Sequence, residues 1–192
     1  MVSRAYNTQL QILMASNSTI LTQFAGRLEP QEILVLAYDY QMIGNIDRAV
    51  SLYEVALEKA QDDYLRGEIL RLKAQALFIP SPSQDLIGGR AAFREAAAHA
   101  ENAHSLAGIG SRISALSDWG SAELLAGDWK CGQDRMTEAL AALNANGGLL
   151  GDDGISMMQM LQMQLSKATK RIDQPAIGCL ADDNTVDAAQ AR

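Results

Sequence analysis

Short amphipathic segments that stop at glycine or proline are the feature that most constrains the fold of this 192-residue chain. Between residues 30 and 143, apolar side chains recur three or four positions apart, which places them on one face of an α-helix. The segments stop at turn-forming residues, as at Gly44-Asn45, Ile79–Ser83 and Gly127-Asp128. The composition agrees, because 30 Ala and 24 Leu against 5 Val and 6 Thr favour helices over strands. The sequence therefore predicts an all-α protein.

The same periodicity predicts where the helices lie and how the chain is divided. Seven or eight helices are expected, at about residues 3–26, 31–43, 64–78, 86–103, 105–126, 131–143 and 153–172, together with one that Asp47 caps. The run Asn144–Gly148 is expected to end the next-to-last helix. Residues 1–175 are predicted to form one helical domain. Residues 176–192 are predicted to form an acidic, flexible tail, because they contain few large apolar side chains.

One pattern of small and large side chains occurs twice at the same spacing. Its first copy consists of Ile33, Leu36, Ala37, Tyr40, Gly44, Ala49, Tyr53 and Ala56. Its second copy consists of Leu116, Trp119, Gly120, Gly127, Gly132, Met136 and Ala139. A weaker copy between them retains Leu70, Ala74 and Leu77 in its first helix and Gly89, Phe93 and Ala96 in its second. Because small residues let two helices approach and large ones fill the space around them, each copy is expected to be a helix pair.

This pattern resembles the tetratricopeptide repeat (TPR) family over about residues 30–143. The resemblance implies a right-handed superhelical solenoid of antiparallel helix pairs, with about three TPR-like units and flanking helices at residues 3–26 and 153–172. It also implies a concave groove, lined by the first helix of each pair, that binds a peptide or a helix. The groove positions in this chain would be Gln31, Leu34, Tyr38 and Gln41 in the first unit, Arg71 and Gln75 in the second, and Ser117 and Ser121 in the third.

The function implied by the resemblance is a non-catalytic protein–protein interaction module, either an adaptor or an assembly scaffold. Its partner would be another protein or peptide. The stretch from residue 64 to residue 112, with 6 basic and 4 acidic side chains, favours an acidic partner. Leu34 and Tyr38 stand where members that clamp a terminal carboxylate have Lys and Asn, so that role is disfavoured. Two alternatives remain open: a bacterial secretion chaperone that holds an export substrate, and a structural subunit of a larger complex.

The sequence offers no motif for catalysis or for a cofactor. It contains neither a phosphate-binding Gly-x-x-x-x-Gly-Lys loop nor a Gly-x-Ser-x-Gly elbow. His99 and His104 are five residues apart, a spacing that places them on different helix faces and does not favour a shared metal. Cys131 and Cys179 are 48 residues apart and are expected to be unpaired thiols. We therefore expect no enzymatic activity, no cofactor and no metal site.

Charge and hydropathy indicate the surroundings in which the protein works. A net charge of −7 argues against binding to nucleic acid. No apolar run is long enough to cross a bilayer, so no membrane insertion is expected. The N-terminus lacks the pattern of a secretory signal, so a cytoplasmic location is expected unless a signal was removed. Four methionines in the last predicted helix are expected to fill the core, with an adaptable binding surface as the alternative: Met157, Met158, Met160 and Met163.

Overall fold

The described part of the chain is helical. The computed structural model describes residues 27–102 and 105–169. They form α1 (Pro30–Met42), α2 (Ile46–Lys59), α3 (Asp63–Phe78), α4 (Leu86–Asn102), α5 (Leu106–Ala126) and α6 (Trp129–Thr169). These two ranges contain no strand, which confirms the predicted all-α class. The helix predicted over residues 3–26 and the tail predicted over residues 176–192 lie outside the described residues.

Local polar side chains determine where the helices begin. Helix α2 starts after Asn45, whose side-chain oxygen accepts a hydrogen bond from the Arg48 backbone N–H at 3.4 Å. The predicted cap, Asp47, lies in the first turn instead. Gly44 makes the preceding turn with a φ of 82°, so Asn45 is the residue that meets the open end of the helix. Asp62 caps α3 in the same way, through a 2.8 Å hydrogen bond from the Leu65 backbone N–H.

The longest helix, α6, is broken at a different place from the one that the sequence predicts. Helical backbone continues through Asn144–Gly148, where the Asn146 amide donates a hydrogen bond to the Ala142 carbonyl oxygen at 2.8 Å. The break lies at Gly151, with a φ of 57° and a ψ of −139°. Glycine adopts this φ without the steric cost that a side chain would add. We call residues 152–169 the distal half of α6.

The helices fall into two compact units that divide between Ser111 and Arg112. In the first unit, α1 packs on α2, α2 on α3 and α3 on α4, and α1 also touches α3. The buried side chains of α1 and α2 hold these helices together, because burial of each large apolar side chain contributes about 1.5–3 kcal/mol to the stability of the fold. They are Ile33, Leu36, Ala37, Tyr40, Ile46, Ala49, Leu52, Tyr53 and Ala56. Helices α3 and α4 also approach closely, because a Cβ atom on Gly89 would come within 2.8 Å of the Phe78 ring.

In the second unit, α5 and the first part of α6 meet at two glycines. A Cβ atom on Gly120 would lie 3.0 Å from the Gly132 carbonyl oxygen, and one on Gly132 would lie 2.9 Å from the Gly120 carbonyl oxygen. Larger residues at these positions would force the two helices apart. The buried side chains of this unit include Leu116, Trp119, Met136, Ala139, Leu143 and Leu161. Across the described ranges, no helix is both long enough and apolar enough to span a membrane.

Candidate functional site

The four groove residues predicted on α1 differ in how much of their surface is accessible. Gln31 is exposed, and Tyr38 is 41% exposed. Leu34 and Gln41 are half-buried, and Leu34 packs against the core of the first unit. Because the four residues recur at helical spacing, α1 presents them along one side.

A buried tyrosine of α2 reaches this side of α1. Tyr53 Oη donates a hydrogen bond to Gln41 Oε1 at 2.7 Å. Burial raises the pKa of the Tyr53 phenol above its ordinary range, the nearby Tyr38 raises it further, and the charge of Arg71 lowers it. The phenol is therefore neutral at physiological pH and acts as a hydrogen-bond donor. Tyr38 lies one turn before Gln41 on α1, and α1 contacts both α2 and α3, which carry Tyr53 and Arg71.

Glu68 of α3 connects two further side chains. Its Oε2 atom accepts hydrogen bonds from Arg71 Nη2 at 2.7 Å and from Arg71 Nε at 3.2 Å. Its Oε1 atom accepts a hydrogen bond from Ser111 Oγ at 2.5 Å. The Glu68 and Arg71 side chains are mostly buried, so solvent screens their ion pair less than it would a surface pair. Glu68 thus holds Arg71 in one orientation and joins the start of α5 to α3.

We call Tyr38, Gln41, Tyr53, Glu68, Arg71 and Ser111 the polar cluster. Tyr64 and Gln75 extend it along α3, because they lie one turn before Glu68 and one turn after Arg71. Gln75, a predicted groove residue, is half-buried, and Tyr64 is exposed. The cluster places amide, hydroxyl and guanidinium groups beside accessible aromatic rings. Such groups can hydrogen-bond a peptide backbone and contact its side chains.

The two remaining predicted groove residues belong to the second unit. Ser117 is 4% exposed, so its side chain offers a ligand almost no surface. Ser121 is half-buried, and its hydroxyl lies 3.0 Å from the Ser117 carbonyl oxygen and 3.2 Å from Gln164 Oε1. The contact with Gln164 joins α5 to the distal half of α6. Both serines therefore contribute to the packing of the second unit.

A buried set of polar side chains lies around the turn between α5 and α6. Trp119 Nε1 donates a hydrogen bond to Glu123 Oε1 at 2.9 Å, and the Arg135 guanidinium lies 4.8 Å from the centre of the Trp119 ring. Asp128 caps α6 by accepting a hydrogen bond from the Cys131 backbone N–H at 3.1 Å. Glu123 and Asp128 are both buried. These hydrogen bonds explain how two acidic side chains are accommodated there.

The donor atoms of Glu123, Asp128 and Cys131 lie within 4.8 Å of one another, as they would in a small metal site. Cys131, however, takes part in a disulfide, so the expectation of an unpaired thiol is wrong for this residue. Sequence separation carries no information on whether two cysteines meet in space, and Cys179 lies outside the described residues. A disulfide sulfur is not the thiolate that a metal ion binds. The three residues therefore do not fit a metal site.

Only some contacts of the polar cluster could be predicted from the sequence. The repeat pattern assigns Tyr53 to packing between helices and gives no sign that its hydroxyl reaches Gln41. Glu68 and Arg71 are three residues apart, a spacing at which opposite charges pair on a helix, so their contact has a clear signal. Nothing in the sequence predicts the contact of Ser111, because its hydrogen bond to Glu68 depends on how closely α5 approaches α3.

Comparisons of the chain with protein-family models, with curated proteins and with solved structures each find no match.

Proposed function

We propose that this chain is a non-catalytic protein–protein interaction module, an adaptor or assembly scaffold, that binds a peptide or a helix on the face formed by α1 and α3. The polar cluster is the observation that carries the proposal. Its hydrogen bonds fix side chains from several helices beside the accessible ring of Tyr38. Binding surfaces combine such fixed polar groups with aromatic anchors, and the cluster provides both.

We also propose that the helices are arranged as TPR-like pairs in a right-handed superhelical solenoid. Each full copy of the repeat pattern supports this proposal within its own unit. Ala37 and Ala49 are fully buried in the first unit, and Gly120 and Gly132 bring two backbones together in the second. In a TPR-like pair the first helix lines the groove, which agrees with the positions of the cluster residues on α1 and α3.

The surroundings of Arg71 define how an acidic ligand would be recognised. Arg71 is already paired with Glu68, so part of its charge is compensated within the protein. We expect this arginine to orient and steer an acidic segment rather than to supply most of the binding energy. Leu34 and Tyr38 would supply most of that energy through apolar contact, and the amides of Gln31 and Gln41 would bond the ligand backbone.

The proposal is tested by selecting peptides that bind the full chain from a random library displayed on phage. The dissociation constant of a selected peptide is then measured by fluorescence anisotropy. The double substitution Leu34→Asp with Tyr38→Ala should weaken binding by roughly thirtyfold or more, because two anchor contacts are lost. Arg71→Gln should weaken it less and should reduce its dependence on salt concentration.

A matched control makes the same kinds of change outside the polar cluster. Ile87 and Leu125 are both largely exposed, so Ile87→Ala with Leu125→Asp should leave peptide affinity unchanged. Circular dichroism should show the same helix content in every variant. If the Leu34→Asp, Tyr38→Ala variant is folded and binds every selected peptide as tightly as the parent, the binding face lies elsewhere and the proposal fails.

A further inference from the structure

The distal half of α6 has an exposed face without charged side chains. No residue from Gly154 to Ser166 is charged, although charged residues make up 20% of the chain. The exposed residues of this stretch are Ile155, Ser156, Gln159, Met160, Gln162, Met163 and Ser166. Ile155 is 58% exposed and Met163 is 53% exposed. Solvent-facing sides of helices normally carry charged residues, so a face of this kind indicates a contact surface.

Opposite charges stand at the two ends of this face. Asp152 is exposed at its N-terminal end and Lys167 is exposed at its C-terminal end. The fifteen residue steps between them correspond to about 22 Å along a helix, and the two side chains project from the same side as Gln159 and Met163. Neither side chain makes an ion pair with a residue in the described ranges. From one end to the other, the face is acidic, uncharged and basic.

We propose that this face binds the same face of a second copy of the chain, with the two helices antiparallel. In that arrangement, Asp152 of each copy lies opposite Lys167 of the other, and the two uncharged stretches lie against each other. A parallel arrangement would place like charges together at both ends. A two-fold axis repeats every contact, which is the geometry of most protein homodimers. The helix dipoles also favour the antiparallel arrangement over the parallel one.

The charges also set the register of the two helices. With Asp152 opposite Lys167, the two-fold axis passes between Gln159 and Met160. Met163 of one copy then lies near Ser156 of the other, and the Gln159 side chains meet at the centre. Methionine suits such a contact because its flexible, polarisable side chain fills an irregular interface. The glutamine amides can bond each other, since each carries both a donor and an acceptor. This dimer does not depend on the peptide-binding function proposed for α1 and α3.

The first test is the molecular mass of the full chain in solution, measured by sedimentation equilibrium up to submillimolar concentration. We expect a reversible monomer–dimer equilibrium. Lys167→Glu should raise the dissociation constant roughly tenfold or more, because the two-fold axis turns two attractive contacts into two repulsive ones. Asp152→Lys should have the same effect. Glu58→Lys, a charge reversal at an exposed position in α2, is the matched control and should change nothing.

The decisive test combines the charge reversals. The double variant Asp152→Lys with Lys167→Glu should dimerise like the parent, because both ends are complementary again. Each single variant dimerises weakly by itself, but the two should form a mixed dimer with each other. The Asp152→Lys chain has a lysine at both ends of the face, and the Lys167→Glu chain has an acidic residue at both ends. A parallel arrangement already opposes like charges in the parent, so it predicts that neither single reversal weakens the dimer.

A second variant tests the uncharged stretch. Met163→Glu should abolish the dimer, because it puts a charge from each copy into the contact. Met42→Glu makes the same change at an exposed position of α1 and should leave the dimer intact. A parent chain that stays monomeric at every concentration would overturn the proposal, and so would a dimer that survives Met163→Glu. Failure of the double charge reversal to restore dimerisation would rule out the antiparallel arrangement.

Discussion

Tyr53 has a buried ring in the core of the first unit and a hydroxyl that takes part in the polar cluster. Its hydrogen bond to Gln41 stabilises the protein only while the phenol keeps its proton. Burial raises the pKa of this phenol from its ordinary value of 10.0. The unfolded chain therefore loses the proton first as the pH rises, and the free energy of unfolding falls above about pH 10. Below that pH the stabilisation is fully present.

Replacement of Tyr53 by phenylalanine separates the ring from the hydroxyl. We expect Tyr53→Phe to lower the free energy of unfolding by about 0.5–1.5 kcal/mol near neutral pH, because one intramolecular hydrogen bond is lost. Urea denaturation at several pH values measures this difference, which should shrink as the pH rises above 10.0, the ordinary value for a tyrosine. Tyr64→Phe, at an exposed tyrosine, is the control and should have little effect at any pH. A pH-independent difference would contradict the assignment of the titration to Tyr53.

At the scale of the elements, we expect the α1–α2 hairpin to depend on small residues where its helices cross. Ala37 and Ala49 are fully buried, one on each helix. Ala49→Leu should overpack this crossing and lower the free energy of unfolding by about 1–3 kcal/mol. The urea midpoint measures the effect. Ser51→Leu, the same size of side chain at an exposed position of α2, should stay within about 0.5 kcal/mol of the parent. Equal midpoints for the two variants would mean that Ala49 does not lie at a tight crossing.

The helices could be predicted from the sequence more closely than their ends. Apolar periodicity locates α1, α3, α4 and α5 because their buried faces are continuous. The start of α2 and the break in α6 are harder to predict, because several neighbouring residues could cap the one helix or interrupt the other. Asn45 and Asp47 are both good caps, and the turn at Gly44 selects Asn45. Several glycines could end the first part of α6, and helix periodicity does not indicate which of them takes the φ of 57° found at Gly151.

In the candidate site, contacts within one helix could be predicted from the sequence, and contacts between helices could not. The spacing of Glu68 and Arg71 along one helix is visible in the sequence and predicts their ion pair. Helical spacing likewise puts Gln31 and Tyr38 on one accessible side of α1. The bonds from Tyr53 to Gln41 and from Ser111 to Glu68 join different helices. They depend on the distance between helix axes, which no pattern within a single helix determines.

At the scale of the whole molecule, Cys131 bears on where the chain works. It is fully buried near the start of α6 and takes part in a disulfide. Disulfides persist in oxidising compartments and are rare in the cytosol. This bond therefore conflicts with the cytoplasmic location that the sequence leads us to expect. Alkylation of free thiols in intact cells of the native host, followed by mass spectrometry, would show which redox state Cys131 has there.

The disulfide also predicts a measurable contribution to stability. We expect this bond to join Cys131 to Cys179, 48 positions along the chain, because the sequence contains no other cysteine. Closing a loop of this length restricts the unfolded chain, and we expect reduction to lower the free energy of unfolding by about 2–4 kcal/mol. Urea denaturation with and without a dithiol reductant measures the difference. The Cys131→Ala variant is the control, because it has no bond to lose and should unfold at the same urea concentration in both conditions. If the reductant leaves the parent's midpoint unchanged, the disulfide either does not form in solution or does not restrain the unfolded chain.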